Sequence, residues 1–290
     1  MGAGGRRTFL ALALAAVEPG GLLPIVGTES TYSVRPGDSL SGVGARHGVD
    51  SAVLARRNGL SPEARLRLAQ TLRVDNRHVV PRVLEEGILI NVPQRLLFVF
   101  EAAQLAAWYP VGLGRPDWRT PLGSFYILTK ERDPTWDVPA SIQREMKEKG
   151  ERVRTKVAPG PENPLGRHWL GLSSSGCGIH GTNAPASVYR FGTHGCIRLH
   201  PEDVADLFAR VGIGTPVEIV YEPVLLGRDD RGVVFLEVHP DVYRLRGDPS
   251  AAAADLARAA GVEGISVPAW EAAIQNAEGL AVPVSPGARE

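Results

Sequence analysis

From Gly87 onward the chain repeats short β-prone runs set apart by turn residues: Ile88-Leu89-Ile90-Asn91-Val92, then residues 96–100, then 106–111, with Pro93-Gln94 and residues 101–104 between them. Runs this short and this apolar are too brief for helices, and their spacing requires strands that follow one another as a meander. Thr120-Pro121-Leu122-Gly123 makes a further turn before the strand Ser124-Phe125-Tyr126-Ile127-Leu128. Pro201-Glu202-Asp203 opens a helix, with proline in the first turn and acids at its positive end, and Val204, Leu207, Phe208 and Val211 fall on one face. Val217, Ile219 and Tyr221 then alternate as the last strand. Residues 87–222 are therefore expected to form a mainly β domain with one packing helix. The charged, proline-flanked stretch 131–167, with Trp136 inside it, reads as a partly helical flap over the sheet.

Composition bounds the function. Of 290 residues, 43% are hydrophobic and 22% charged, which excludes wholesale disorder and a coiled coil. Lys plus Arg and Asp plus Glu are equal at 32 each, so no net field gathers nucleic acid around the molecule. Two cysteines, Cys177 and Cys196, without a CxxC, give neither a disulfide scaffold nor a zinc ribbon.

The ends differ from the middle. Gly5-Arg6-Arg7-Thr8-Phe9-Leu10 and the Ala/Leu/Val run to Val17 have the order of a bacterial export signal, by a Sec or twin-arginine route, and residues 1–27 are expected to be that leader. That run is too short to span a bilayer and no other segment comes closer, so the expected product is a periplasmic protein with no transmembrane segment in its mature form. Between residues 223 and 290 a strand at 233–238, an Ala-rich helix at 251–260 and a second helix at 270–277 precede a Pro/Gly tail expected to be disordered. This stretch reads as an accessory region.

Residues 31–34 are β-prone, Pro36-Gly37-Asp38 turns the chain, Ser39 caps a helix carrying Leu40 and Val43, and Ser51 opens a second helix that closes at Asn58-Gly59. Leu68, Gln70, Leu72 and Val74 alternate as a closing strand. This βααβ order over residues 30–76, with its Tyr32-Ser33-Val34-Arg35-Pro36-Gly37-Asp38-Ser39-Leu40 opening, resembles the LysM module, which implies binding of glycans containing N-acetylglucosamine. The closing half departs from that family, with Leu68-Ala69 where Pro-Gly is usual.

Chemistry concentrates between residues 179 and 199. Ile179-His180-Gly181-Thr182-Asn183 precedes Thr193-His194-Gly195-Cys196-Ile197-Arg198-Leu199, which sets an imidazole 16 positions before a thiol. A thiol attacks as thiolate and needs a proton acceptor effective near neutral pH, the role to which histidine is suited. Gly181 can turn sharply and offer a carbonyl to fix the imidazole tautomer, and the amides near Gly195 and Cys196 are candidate oxyanion donors.

The stretch HGTNAPASVYRFGTHGCIRL, together with TPLGSFYI, PENPLGRHWL and GTPVEIVY, resembles the L,D-transpeptidase family with a YkuD-type catalytic domain, over about residues 87–222. The likeness is greatest to its periplasmic proteobacterial branch. It implies a β-sandwich with a flap, no metal and no cofactor. Carried onto this sequence, it makes Cys196 the nucleophile, His180 the proton acceptor and Gly181 the residue whose carbonyl orients it. His194 and Gly195 line the thiol, while Arg198 and Thr193 lie toward substrate, Arg198 holding a carboxylate or bracing the loop. The implied partners are peptidoglycan stem peptides and glycan, and the lysine of an outer-membrane lipoprotein as one acceptor beside diaminopimelate. Water as acceptor would make the chain an L,D-carboxypeptidase. A wall-binding protein acting only through LysM is the alternative from another class. A zinc site from Cys177, His180, His194, Cys196 and His200 is disfavoured, because Cys177 and His180, three apart on one strand, face opposite ways. Cys177 is thus expected to be a small core residue.

Overall fold

The computed structural model describes residues 22–174 and 176–286. After β1 (Leu23–Val26) come β2 (Glu29–Ser33), α1 (Leu40–His47), α2 (Ser51–Arg57) and β3 (Thr71–Asp75), then a short β4 (His78–Val79). Strands β2 and β3 pair antiparallel from Glu29↔Asp75 to Ser33↔Thr71. Ser39 Oγ accepts the Gly42 N–H at 3.1 Å to cap α1, and Gly48 ends that helix at φ 72°. Leu40, Val43, Val53, Leu54, Leu72 and Val74 fill the small core. Alternation from Leu68 starts the closing strand too early: Ala69 turns at φ 61° and Leu68 is 69% exposed, so the pleat begins at Thr71.

The larger part is mainly β. Its strands are β5 (Gly87–Asn91), β6 (Leu96–Glu101), β7 (Gln104–Pro110), β8 (Leu113–Gly114), β9 (Gly123–Arg132), β10 (Trp136–Asp137), β11 (Lys156–Val157), β12 (His168–Leu172), β13 (Gly178–His180), β14 (Phe191–Thr193), β15 (Ile197–Arg198) and β16 (Pro216–Val220), with α3 (Ala140–Glu148) after β10 and α4 (Pro201–Arg210) after β15. Eight of them form one sheet in the order β15-β13-β12-β9-β16-β5-β6-β7. The strand with Val217 and Ile219, last of this part in sequence, lies inside the sheet, parallel to β5 and antiparallel to β9. One core gathers Ile88, Ile90, Val99, Ile127, Leu170, Ile179, Ile197 and Ile219 against Val204, Leu207 and Phe208 of α4. Leu89, Leu96, Phe98 and Phe100, on the other face of β5 and β6, pack with Ala45, Val80 and Val188. Burial on both faces explains why β5 and β6 are continuous apolar runs.

The chain ends with β17 (Val224–Arg228), β18 (Val234–Val238), α5 (Pro249–Ala259), α6 (Val267–Asn276) and β19 (Val282–Pro283). A second sheet has the order β19-β18-β17-β1-β4, in which β1 runs parallel to β17 (Leu23↔Gly227) and antiparallel to β4 (Ile25↔Val79). Two expectations are corrected here. A leader reaching residue 27 is incompatible with this sheet, since Leu23–Val26 is one of its interior strands and Val26 is buried; residues 1–21 lie outside the described residues. The tail is also not disordered through 286, because Leu280, Ala281 and Val284 are buried and β19 pairs with β18. Leu280 reaches into the βααβ core, and Glu278 takes Arg56 at 2.6 Å and Arg57 at 2.8 Å from α2.

A buried carboxylate joins these parts. Glu237 of β18 lies 2.9 Å from His78 Nδ1 and 2.7 Å from His239 Nε2, and accepts from Gln94 Nε2 at 3.0 Å and from the Val79 N–H at 2.6 Å. His78 Nε2 meets the Gly48 carbonyl at 3.0 Å, so one side chain links the α1 terminus to the second sheet.

Candidate functional site

β13 and β15 pair in parallel with Ile179 opposite Ile197 and His180 opposite Arg198. Both isoleucines are fully buried in the core, so the pleat turns His180 and Arg198 to the other face, with Cys196 in the turn that leads into β15. The arrangement is clamped on both sides. Leu199 N–H bonds to the His180 carbonyl at 2.8 Å, and Gly112 exchanges both backbone bonds with Arg198, at 2.7 and 2.8 Å. α4 begins three residues beyond Arg198 and anchors the strand to the core.

The turn before the thiol is held by its own side chains. Thr193 Oγ1 donates to the Cys196 carbonyl at 2.6 Å and accepts the Gly195 N–H at 3.2 Å. Gly195 itself has φ 106°, which L side chains rarely adopt. Thr193 is buried, and its hydroxyl is engaged within the turn rather than turned to substrate as the sequence suggested. The Gly195 amide is likewise engaged, which leaves Cys196 as the nearer candidate oxyanion donor. Arg198 Nη1 donates to Ser187 Oγ at 2.9 Å, the bracing alternative of the two raised for it.

His180 Nδ1 lies 2.7 Å from the Gly181 carbonyl. A carbonyl only accepts, so Nδ1 carries the proton and Nε2 carries the lone pair. The Trp169 ring stacks on the imidazole at 6.0 Å with 23° between planes. That indole lies across Gly178, where a Cβ would meet Trp169 Cη2 and Cζ2 at 2.5 Å. Burial, with help from the Arg198 charge, pulls the His180 pKa down to about 3 against the pull of the Gly181 carbonyl.

The thiol is shifted the opposite way to a buried cysteine. A hydrogen bond from Cys177, then the Gly178 backbone and the Arg198 charge, bring Cys196 down to about 7 although burial opposes them. Cys177 is pushed far up by the same hydrogen bond and by burial. Both are free thiols. Cys177 lies in the core, as expected, but it also touches the nucleophile candidate: β13 begins only at Gly178, so strand parity does not extend to Cys177.

His194 turns to the flap. Its Nε2 lies 2.9 Å from Glu145 of α3, which also pairs with Arg115 at 2.8 Å, while Trp118 packs on the ring at 5.1 Å. Arg115, then His194, pull the Glu145 carboxyl down to about 2. The stretch between β9 and β12 is thus the short pair β10–β11 plus α3, fastened to the turn beside the thiol. Sequence reasoning missed Cys177, Trp169, Glu145 and Arg115 as parts of the site. Trp169 stood inside a quoted motif, whereas nothing local marks Glu145 among the flap's charges.

Comparison with known proteins finds two family models on this chain: the L,D-transpeptidase catalytic domain over residues 85–219 and the LysM domain over residues 32–75. The Escherichia coli protein named "Probable L,D-transpeptidase YcfS" is 30% identical over 221 residues, 73% of this chain and 68% of that protein. The E. coli "Probable L,D-transpeptidase ErfK/SrfK" is 29% identical over 230 residues, 76% of this chain and 73% of that protein. Among solved structures, a mutant Enterococcus faecium L,D-transpeptidase superposes with a TM-score of 0.36 at 23% identity, over 48% of this chain and 50% of that one.

Proposed function

Since the chain belongs to the L,D-transpeptidase family, with a YkuD catalytic domain behind a LysM domain, we propose that it is a cysteine acyltransferase of peptidoglycan acting through Cys196. The observation that carries this reading is the tautomer-fixed His180, set by the parallel β13–β15 pair opposite Arg198, which follows the Cys196 thiol by two residues.

The Cys196 thiolate attacks the carbonyl joining diaminopimelate to the terminal D-alanine of a tetrapeptide stem, and the Cys196 amide faces the oxyanion that forms. The C–N bond breaks, D-alanine leaves as the amine after taking from His180 Nε2 the proton that came off the Cys196 thiol, and a thioester remains on Cys196. An amine acceptor then adds to the thioester carbonyl and gives its proton to His180 Nε2 as the thiolate leaves. A diaminopimelate amine yields a 3-3 cross-link, and a lipoprotein lysine yields an anchored lipoprotein. Water in the same place gives a tripeptide. The proton of a neutral Cys196 moves to His180 as the S–C bond forms, because an imidazole held near 3 does not retain it from a thiol near 7 in the resting site. The LysM module keeps glycan near this site in the periplasm.

The test is mass spectrometry of disaccharide-tetrapeptide muropeptides incubated with the protein, with and without a lysine-ended lipoprotein peptide. A dimer, a peptide adduct or a tripeptide that disappears in Cys196→Ala and His180→Ala supports the reading and identifies the acceptor. Unchanged tetrapeptide with folded wild-type protein would leave the chain a LysM wall-binding protein.

A further inference from the structure

Cys177 and Cys196 stand in a crossed arrangement at the edge of the site. Cys177 Sγ lies 3.6 Å from the carbonyl of Gly195, the residue before Cys196, and Cys196 Sγ lies 3.6 Å from the carbonyl of Gly176, the residue before Cys177. The turn 193–196 and the start of β13 are thus laced by two thiol–carbonyl contacts that bring the two cysteines side by side. Cys177 is 7% exposed and sits in the main core, so its sulfur has little freedom to turn away.

The groups around the Cys196 sulfur are few. On β15 stands Arg198, itself bonded to Ser187, and on β13 stands the Gly178 backbone, with His180 two residues further on. In the turn, His194 is committed to Glu145 and Arg115 of the flap side. Arg198 is the fixed cation of this set and is largely buried. His180 Nδ1–H is spent on Gly181, so the neutral imidazole keeps a lone pair and no proton at Nε2. When Cys196 ionises, the Cys177 S–H stands beside the Gly178 N–H and the Arg198 charge as a donor free to turn toward the sulfur, since its present acceptor is a carbonyl at the long distance of 3.6 Å.

From this geometry we infer that Cys177 is a positioning residue for the acyl transfer: its S–H turns from the Gly195 carbonyl to the Cys196 sulfur when that sulfur is a thiolate, and so stabilises the nucleophilic form. A hydrogen bond to the charged form of a group favours that form. A thiol suits the place better than a hydroxyl-free side chain of equal size because the donor must sit inside an apolar core and still reach sulfur. The inference rests on Cys196 being the nucleophile, and it adds a second cysteine to the Cys–His pair.

The test is the pH dependence of iodoacetamide alkylation at Cys196, followed by peptide mass, which reads the thiolate whether or not the protein transfers acyl groups. Cys177→Ala is expected to move the alkylation midpoint upward by about one pH unit, and Cys177→Ser, which keeps a donor, to restore most of the shift. Cys177→Val fills the same volume without the donor and carries the same comparison should the alanine variant fail to fold. Coincident midpoints in wild type and the donor-free variants, with matching circular dichroism, would overturn the inference. Retained transpeptidation in Cys196→Ala would instead strike at the nucleophile assignment and leave the alkylation result standing.

Discussion

At Gly178 a methyl group has no room: a Cβ would stand 2.5 Å from the Trp169 indole, which in turn stacks on His180. Gly178→Ala should therefore push the indole off the sheet and cut acyl transfer at least tenfold. Its cost in stability should be about 1–3 kcal/mol, the usual scale of overpacking; thermal melting beside product analysis checks both. The pH profile follows from the same residues. Cys196 near 7 and His180 near 3 mean that the acylation rate rises as pH passes through about 7 and shows no second step between 4 and 6, where the imidazole is already neutral. Single-turnover acylation across pH 4–9 measures it, and a limb centred near 9 would contradict the lowered thiol. Residues of this kind were legible in sequence where chemistry is local: His180, Gly181 and Cys196 stand in one short stretch of chain. Cys177 looks like core alone in the sequence, because it precedes the strand whose alternation would place its side chain.

Among elements, the flap and the tail depart most from their sequence appearance. α3 has no buried residue and is fastened chiefly by Glu145 to His194 and Arg115. Glu145→Ala should leave the melting temperature almost unchanged, raise amide exchange in 140–148, and raise KM more than it lowers kcat if the flap holds substrate. Unchanged exchange would show that other contacts fasten the helix. The helical flap was foreseeable from its charges and prolines, but its partner residues were not, since pairing across 49 positions (His194 to Glu145) leaves no local pattern. The tail misled for a related reason. Pro and Gly dominate its look, yet Leu280 packs among the βααβ residues and is 2% exposed. Leu280→Ala should cost about 2–5 kcal/mol, read by denaturant unfolding; a loss under 0.5 kcal/mol would mean that the tail merely rests on the surface. The strands, by contrast, were readable because a two-residue period and short turns mark them directly.

For the whole molecule, the mainly β architecture behind a small βααβ module was visible in sequence, while the way the parts are joined was not. β1 pairs with residues some 200 positions away, and Glu237 gathers His78 and Gln94 from 159 and 143 positions away beside its near neighbour His239. Such joints depend on long-range burial, on which composition and periodicity are silent. Two outcomes follow at this scale. Although burial opposes it, Glu237 is held down to about 2 by His78 and then His239, against an ordinary 4.5. Its contribution is complete above about 4.5 and fades as pH falls toward 2. Glu237→Gln should lower the melting temperature at pH 7 and flatten its fall between pH 5 and 2; parallel curves would deny the carboxylate this role. If a leader is removed, the sheet requires the cut to fall before Leu23, and N-terminal sequencing of the protein recovered from cells should find no start beyond that residue. Everything built on this frame meets at one sulfur. Intact-protein mass spectrometry after brief exposure to tetrapeptide muropeptide, with peptide mapping, should find a thioester on Cys196 that is absent from Cys196→Ala and builds up when acceptor amine is withheld. An acyl group mapped to any other residue, or turnover with Cys196 never modified, would contradict the account.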